Sequence, residues 1–223
     1  MDFMKWLNSL DELLYEVMSW LLFFPLTLWR ATFQPLTIME EIDRQLTLPD
    51  DQQYAALLSP PLFLALALLL GHSVATALGQ TDAIIDNKHG LAGLVSDNAS
   101  ALVLRVIVFA AFPLFLAARL VRRRAQRLDR TTLRQPFYEQ CYPAAVFALG
   151  VSIGSSLGID HHPLVRTSGH WLAAASIVNF WLVETCWFAK LLDTGYLRAA
   201  ADVLLGLLEG AIFLLVVGFL FTR

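Results

Sequence analysis

The chain has 223 residues, of which 57% are hydrophobic and 16% are charged, and its formal net charge is −3. Soluble domains carry about 25% charged residues, so this composition excludes an ordinary soluble globular protein. A soluble nucleic-acid-binding protein is also excluded, because it would present a broad basic face. Long, continuously apolar segments instead predict an all-α membrane protein.

Residues 1–53 form an acidic segment, with nine acidic residues against three basic ones. Between Met1 and Trp20, apolar residues recur at helical spacing opposite acidic ones, which predicts an amphipathic helix. The apolar stretch Trp20–Arg30 is short and interrupted by Pro25, and it favours an interfacial or re-entrant helix. A sixth, crossing helix is the alternative, and it would move the N-terminus to the other side of the membrane.

Residues 54–223 carry five apolar runs, each long enough to cross a bilayer as a helix of about 20 residues. These runs are much longer than a tilted strand and do not alternate, so a β-barrel pattern is excluded. The sequence therefore predicts a five-transmembrane-helix bundle preceded by an N-terminal amphipathic and interfacial helix. The predicted spans are residues 54–78, 99–121, 137–158, 170–192 and 203–221.

An arginine-rich loop between the second and third spans predicts the orientation of the bundle. Lys and Arg beside a span remain on the cytoplasmic side. With this loop inside, twelve basic residues lie inside and three outside. We expect a bacterial inner-membrane protein with a cytoplasmic N-terminus and a periplasmic C-terminus, and hypothesise an electrostatic contact between the loop and the acidic N-terminal segment. The seven arginines of the loop are Arg119, Arg122, Arg123, Arg124, Arg127, Arg130 and Arg134.

Glycines at four-residue spacing in the third and fifth spans predict close helix packing. Without side chains on that stripe, a neighbouring helix backbone can approach closely. We interpret them as packing positions within the molecule, and homodimerisation or a translocation seam are the alternatives. The glycines are Gly150, Gly154 and Gly158 in the third span and Gly206 and Gly210 in the fifth.

The segment Gly154-x-Ser156-x-Gly158 also matches the nucleophile elbow of serine hydrolases. That chemistry requires a sharp strand-to-helix turn, whereas the motif lies on a predicted membrane helix. An intramembrane serine hydrolase pairing Ser156 with His170 is therefore the remote alternative, and we assign no catalytic residues.

Five polar or ionisable residues within the spans are candidates for transport or for a polar interior, because such groups are costly in a membrane. Glu184 and Glu209 lie at matching depth, on the order of 11 Å from the predicted inner surface at 1.5 Å per residue. We expect them to form a paired carboxylate site, or to be compensated by Arg119 or Lys190. Polar groups that lock helix contacts are the alternative. The five candidates are Glu184, Glu209, Arg105, His72 and Asn179.

The sequence indicates no cofactor and no metal. Cys141 and Cys186 fall within predicted spans as small apolar residues, and the histidine spacing fits no metal-site template. The expected partners are membrane lipids, a second copy of the chain, or a membrane protein bound through the N-terminal segment, and no nucleic acid.

Several features together resemble the Yip1-like superfamily of five-span membrane proteins, including bacterial members often labelled permeases. The local motifs are Phe24-Pro25-Leu26-Thr27-Leu28-Trp29-Arg30 before the first span, Tyr54-Ala-Ala-Leu-Leu-Ser-Pro60-Pro61 at its start, and Phe137-Tyr138-Glu139-Gln140-Cys141-Tyr142-Pro143 at the start of the third. The resemblance implies a cytoplasmic N-terminal segment, five closely spaced spans and an outward C-terminus, with no settled catalytic residues.

The expected function follows from these observations taken together. We expect an accessory or scaffold component, or a protein involved in lipid or small-molecule movement across the membrane. A proton-coupled secondary transporter that uses the intramembrane carboxylates is the alternative.

Overall fold

The computed structural model describes residues 2–49, 53–54, 56–79 and 98–222. Within these ranges the chain forms seven helices and no strand, which confirms the all-α prediction. The first residues of the predicted first span and the connection before the second fall partly outside the described residues. The helices are α1 (Asp2–Phe33), α2 (Pro35–Leu46), α3 (Pro60–Ala77), α4 (Asn98–Arg123), α5 (Arg130–Gly158), α6 (Pro163–Leu192) and α7 (Tyr196–Thr222).

Five of these helices, α3 to α7, are long and apolar enough to cross a membrane, as the sequence predicts. The protein is therefore an integral, multi-pass membrane protein. The spanning segments are Pro60–Ala77, Leu102–Arg123, Arg130–Gly158, Pro163–Leu192 and Tyr196–Phe219.

α5 begins seven residues before the predicted third span because a capping box starts it at Arg130. The Asp129 carboxylate accepts hydrogen bonds from the backbone N–H groups of Thr131 and Thr132. The Thr132 hydroxyl in turn accepts from the Asp129 N–H, so three backbone donors at the start of the helix are satisfied. These hydrogen bonds, the one from Thr132 first, hold the pKa of Asp129 below its usual range.

The N-terminal segment differs from the prediction in its helix boundaries. α1 runs without interruption through Pro25 instead of breaking there. A proline inside a helix removes one backbone hydrogen bond, which a long helix can tolerate. The break comes at Gln34, and Pro35 then begins α2 at the first helical position, where no N–H is needed.

α2 is an amphipathic helix that packs against α5 and α6. Ile38, Met39 and Ile42 are fully buried on its inner face. On its outer face Glu40 forms an ion pair with Lys190 near the end of α6. The helix is thus fixed to the bundle by an apolar face and a charged rim.

The segment between α2 and α3 is fixed through the backbone of Leu58. Its N–H donates to the Thr27 hydroxyl at 3.3 Å, and its carbonyl accepts from the Tyr142 hydroxyl at 2.9 Å. The entry to α3 is therefore connected to both α1 and α5. Gln45 adds a third contact, because its amide oxygen accepts from the Tyr54 N–H at 2.8 Å.

α5 is the central helix of the bundle and contacts α3, α4 and α6 as well as α2. Short connections of residues 124–129, 159–162 and 193–195 make α4 to α7 successively antiparallel. We call the end that carries residues 119–134 and 190–198 the arginine end. The opposite end carries residues 158–162.

Candidate functional site

The glycine stripe on α5 forms a close contact with α6. A Cβ atom at Gly154 would lie 2.8 Å from the Gly169 carbonyl oxygen and 2.9 Å from the Ala173 Cβ, and one at Gly158 would lie 3.0 Å from the His170 ring. Gly150 faces Ser176 in the same way. Backbone approaches backbone here, which fixes the relative position of the two helices.

The glycines of α7 face α4. A Cβ at Gly206 would lie 2.8 Å from a Leu116 methyl group, and one at Gly210 would lie 3.3 Å from the Phe112 ring. The three glycines of α5 and the two of α7 therefore lie in helix contacts within a single chain.

Four buried polar residues lie on α5 and α6, on the arginine-end side of the glycine contact. Glu139 and Gln140 come from α5, and Glu184 and Thr185 from α6; their exposed fractions are 1%, 0%, 0% and 7%. Glu139 and Glu184 are close enough to interact electrostatically. We call these four residues the carboxylate cluster.

Most polar atoms of the carboxylate cluster have no hydrogen-bond partner among the residues that the structure describes. The atoms without a partner are both carboxylate oxygens of Glu184, both amide atoms of Gln140 and the Thr185 hydroxyl. Buried polar groups are paired in the great majority of cases, so five unpaired atoms on two adjacent helices require an explanation. An unpaired charge there would also be costly unless a positive occupant, such as a proton or a small cation, neutralised it.

Glu139 is the member of the cluster that is hydrogen-bonded. The Trp187 indole N–H donates to it at 3.2 Å and the Gln135 amide at 3.0 Å. The Gln135 amide also donates to Asp43 of α2. Because Asp43 is exposed and Glu184 is fully buried, these groups connect the surface of the arginine end with the interior.

Glu209 does not join Glu184 but pairs with arginines of α4. Arg119 and Arg122 each donate to its carboxylate at 2.9 Å. The predicted Glu184–Glu209 pair is therefore not formed. Compensation by Arg119, the other expectation, is found for Glu209, whereas Lys190 pairs with Glu40 on the surface.

The remaining predicted interior residues lie on three different helices. Asn179 lies on the exposed face of α6, since its position on the helix turns it away from the bundle. His72 on α3 and Arg105 on α4 are half-buried.

Among the described residues, the ion pairs of the arginine loop are made with α7 and not with the acidic N-terminal segment, where the sequence hypothesis placed them. Asp50 and Asp51 of that segment lie outside the described residues. Arg123 donates to Asp202 of α7 at 2.6 and 2.8 Å, and Arg122 bonds Glu209 of the same helix. The acidic side chains of α2 bind other partners, since Glu41 pairs with Arg30 at 2.6 Å. Arg134 lies over the Tyr138 ring, and Arg124, Arg127 and Arg130 belong to the exposed or half-exposed rim.

The hydrolase-like motif lacks the geometry that an elbow requires. Gly154, Ser156 and Gly158 lie within the continuous helix α5, and Ser156 is buried. No strand-to-helix turn exposes the serine, because the glycines serve the contact with α6.

Sequence reasoning missed Glu139, Gln140, Asp43 and Asp202. Glu139 and Gln140 stood at the edge of the predicted third span, and only the capping box at Asp129 places them nine and ten residues inside α5. Asp202 stood just before the predicted fifth span, but α7 begins at Tyr196. For each of these two helices, the sequence offers a helix-start signal eight residues before the predicted span: Asp129 for α5 and the Gly195 turn for α7.

Among the described residues, no group of three or more His, Cys, Asp or Glu side chains is arranged to hold a metal ion. Comparison of the chain with protein-family models, with curated proteins and with solved structures finds no match.

Proposed function

We propose that the protein moves a small solute across its membrane and couples this movement to proton binding at Glu139 and Glu184. The observation that carries the proposal is the fully buried Glu184 carboxylate, whose two oxygens have no hydrogen-bond donor among the described residues. A carboxylate beside a second carboxylate in a membrane bundle is stable when a proton or a small cation accompanies it.

A route for the proton supports the same proposal. Asp43 is exposed at the arginine end, and the Gln135 amide donates to both Asp43 and Glu139, which holds the two carboxylates side by side. Glu139 then interacts with Glu184. A proton can therefore pass from Asp43 to Glu139 at the arginine end. Gln140 and Thr185, buried on the same two helices, have side-chain donors and acceptors without partners among the described residues.

Orientation and family are parts of the proposal. We place the arginine end in the cytoplasm of a bacterial inner membrane, because the basic residues are concentrated there. Five closely spaced spans behind an N-terminal segment are also the organisation that the Yip1-like resemblance implies. A C-terminal reporter that is active only in the periplasm tests the orientation, and activity of a cytoplasmic reporter at that position would contradict it.

The coupling is tested by recording charge displacement on a solid-supported membrane after a pH jump. Wild-type proteoliposomes should give a transient current as protons bind, and Glu184→Gln should abolish it. Glu16→Gln is the matched control, because Glu16 lies on exposed α1, outside the bundle interior. A wild-type current no larger than that of protein-free liposomes, or an unchanged current in Glu184→Gln, would reject the proposal.

A scaffold function is the second candidate, and a different observation favours it. Tyr15, Met18, Leu21 and Leu22 of α1 expose 64% to 76% of their surface. This apolar stretch precedes the part of α1 that packs on the bundle, and such a surface needs a membrane interface or a protein partner.

A photo-crosslinking amino acid at position 18 distinguishes these two occupants. In native membranes it should form an adduct of defined mass with one protein if α1 is a docking helix. The same probe at position 16, on the acidic face, is the matched control. Adducts with lipid alone would reject the scaffold function and leave α1 as an interfacial helix.

A further inference from the structure

A basic cavity lies between α4 and α7 at the arginine end, away from the carboxylate cluster. Its volume is about 340 Å³. Four arginines line it together with Asp202 and the apolar side chain of Leu205; they are Arg119, Arg122, Arg123 and Arg198. We call it the arginine cavity.

The charge in the arginine cavity is not balanced by the protein. Asp202 pairs with Arg119 and Arg123, and Glu209 pairs with Arg119 and Arg122. Two carboxylates thus face four guanidinium groups, which leaves an excess of two positive charges. Arg198 is exposed and makes no ion pair with any residue that the structure describes.

The paired arginines are held in place and still have donors to offer. Asp202 is 3% exposed, and it fixes Arg123 through the Nε and Nη2 atoms. Arg122 uses Nε for the Ala118 carbonyl and Nη2 for Glu209. The Nη1 groups of Arg122 and Arg123 make no hydrogen bond within the described chain, and with Arg198 they supply several N–H donors for one anion.

We propose that the arginine cavity binds a phosphate group, from the headgroup of an anionic lipid or from a soluble phosphate compound. Arginine forks match phosphate oxygens in geometry and charge. The site lies where the spanning segments Leu102–Arg123 and Tyr196–Phe219 reach the arginine end, which is the level of lipid headgroups. Leu204 and Leu208 are 52% and 48% exposed on the same helix and can contact an acyl chain.

The proposal is tested by thermal unfolding of the full-length protein in detergent. The probes are dioctanoyl-phosphatidylglycerol, dioctanoyl-phosphatidylcholine and inorganic phosphate. Phosphatidylglycerol, which is anionic, should raise Tm. Phosphatidylcholine should not, because its choline cation balances the charge of the phosphate. Arg198→Gln should weaken the apparent affinity by about tenfold, since one charge-assisted hydrogen bond is lost.

Arg127→Gln is the matched control, because Arg127 is exposed at the same end and does not line the arginine cavity. Stabilisation by phosphatidylglycerol alone supports the lipid as the source, and equal stabilisation by inorganic phosphate supports a soluble compound. The proposal is overturned if neither phosphatidylglycerol nor inorganic phosphate raises Tm more than phosphatidylcholine does. It is equally overturned if Arg198→Gln binds like wild type, or if Arg127→Gln weakens binding to the same extent.

Discussion

The indole N–H of Trp187 donates a hydrogen bond to the Glu139 carboxylate 3.2 Å away. Both side chains are 1% exposed, so this bond crosses from α6 to α5 inside the bundle. Trp187 lies one helical turn after Glu184 and therefore orients Glu139 toward the part of α6 that carries the second carboxylate.

Replacing Trp187 by Phe should lower the free energy of unfolding by about 1–3 kcal/mol, because a buried acceptor loses a donor. Unfolding in detergent, followed by far-UV circular dichroism, measures the loss. Trp181→Phe is the control, since the Trp181 indole N–H is buried with no partner in the described chain. Equal losses in the two variants would show that ring volume, and not the hydrogen bond, decides the result.

Gly154→Ala should destabilise the protein by about 1–3 kcal/mol, the usual range for overpacking a tight contact. The added Cβ would lie 2.7 Å from the Ala173 backbone nitrogen, where nothing can move without shifting α6. Gly218→Ala on α7 meets nothing within 4 Å and should be neutral or slightly stabilising. The midpoint of thermal unfolding compares the two, and a harmless Gly154→Ala would contradict the close α5–α6 contact.

Tyr142→Phe should lower the free energy of unfolding by about 1–3 kcal/mol, because the buried Leu58 carbonyl loses its donor. Tyr138→Phe is the control, since the Tyr138 hydroxyl makes no hydrogen bond with the described residues. Limited proteolysis between α2 and α3 should also become faster in Tyr142→Phe alone. Unchanged proteolysis would mean that Thr27 suffices to hold Leu58.

The contact between α1 and α2 should weaken in acid. Burial would raise the pKa of Glu41, but the hydrogen bonds and charges of Arg30 and then Arg44 outweigh it and lower the pKa below 4.5. A lowered pKa in the folded state means that the pairing stabilises fully above the unfolded value and is lost as pH falls through the folded value.

The corresponding experiment compares the Tm of wild type and Glu41→Gln from neutral pH downward. The difference should stay constant down to about pH 4.5 and shrink below it. At neutral pH it should correspond to about 1 kcal/mol or less, as for other partly exposed ion pairs. A difference that grows in acid would contradict the lowered pKa.

The five spans could be predicted because each is a continuous apolar run, and length alone distinguishes such runs from strands. The bounds at the arginine end could not be predicted in this way. There the helices continue through polar residues, as α5 does from Arg130 to Glu139. The apolar run is therefore shorter than the helix, and hydropathy alone places the helix start too late.

Hydropathy also could not predict which charged residues pair with each other. Glu184 and Glu209 lie at similar depth, but depth does not specify which face of a helix a residue occupies. Glu184 faces α5, whereas Glu209 faces the arginines of α4. Only the packing order of the helices, in which α4 contacts α7 and α5 contacts α6, decides the partner.

The distance along the chain between Arg119 and its partners has a consequence for biosynthesis. Asp202 and Glu209 follow Arg119 by 83 and 90 residues, so they are translated well after α4. The loop is therefore synthesised with its full positive charge before either carboxylate partner exists, and this positive charge is what orients the neighbouring spans. Its partial neutralisation comes only with the last helix, and a nascent chain truncated before α7 would retain the orientation signal without the ion pairs that later cover it.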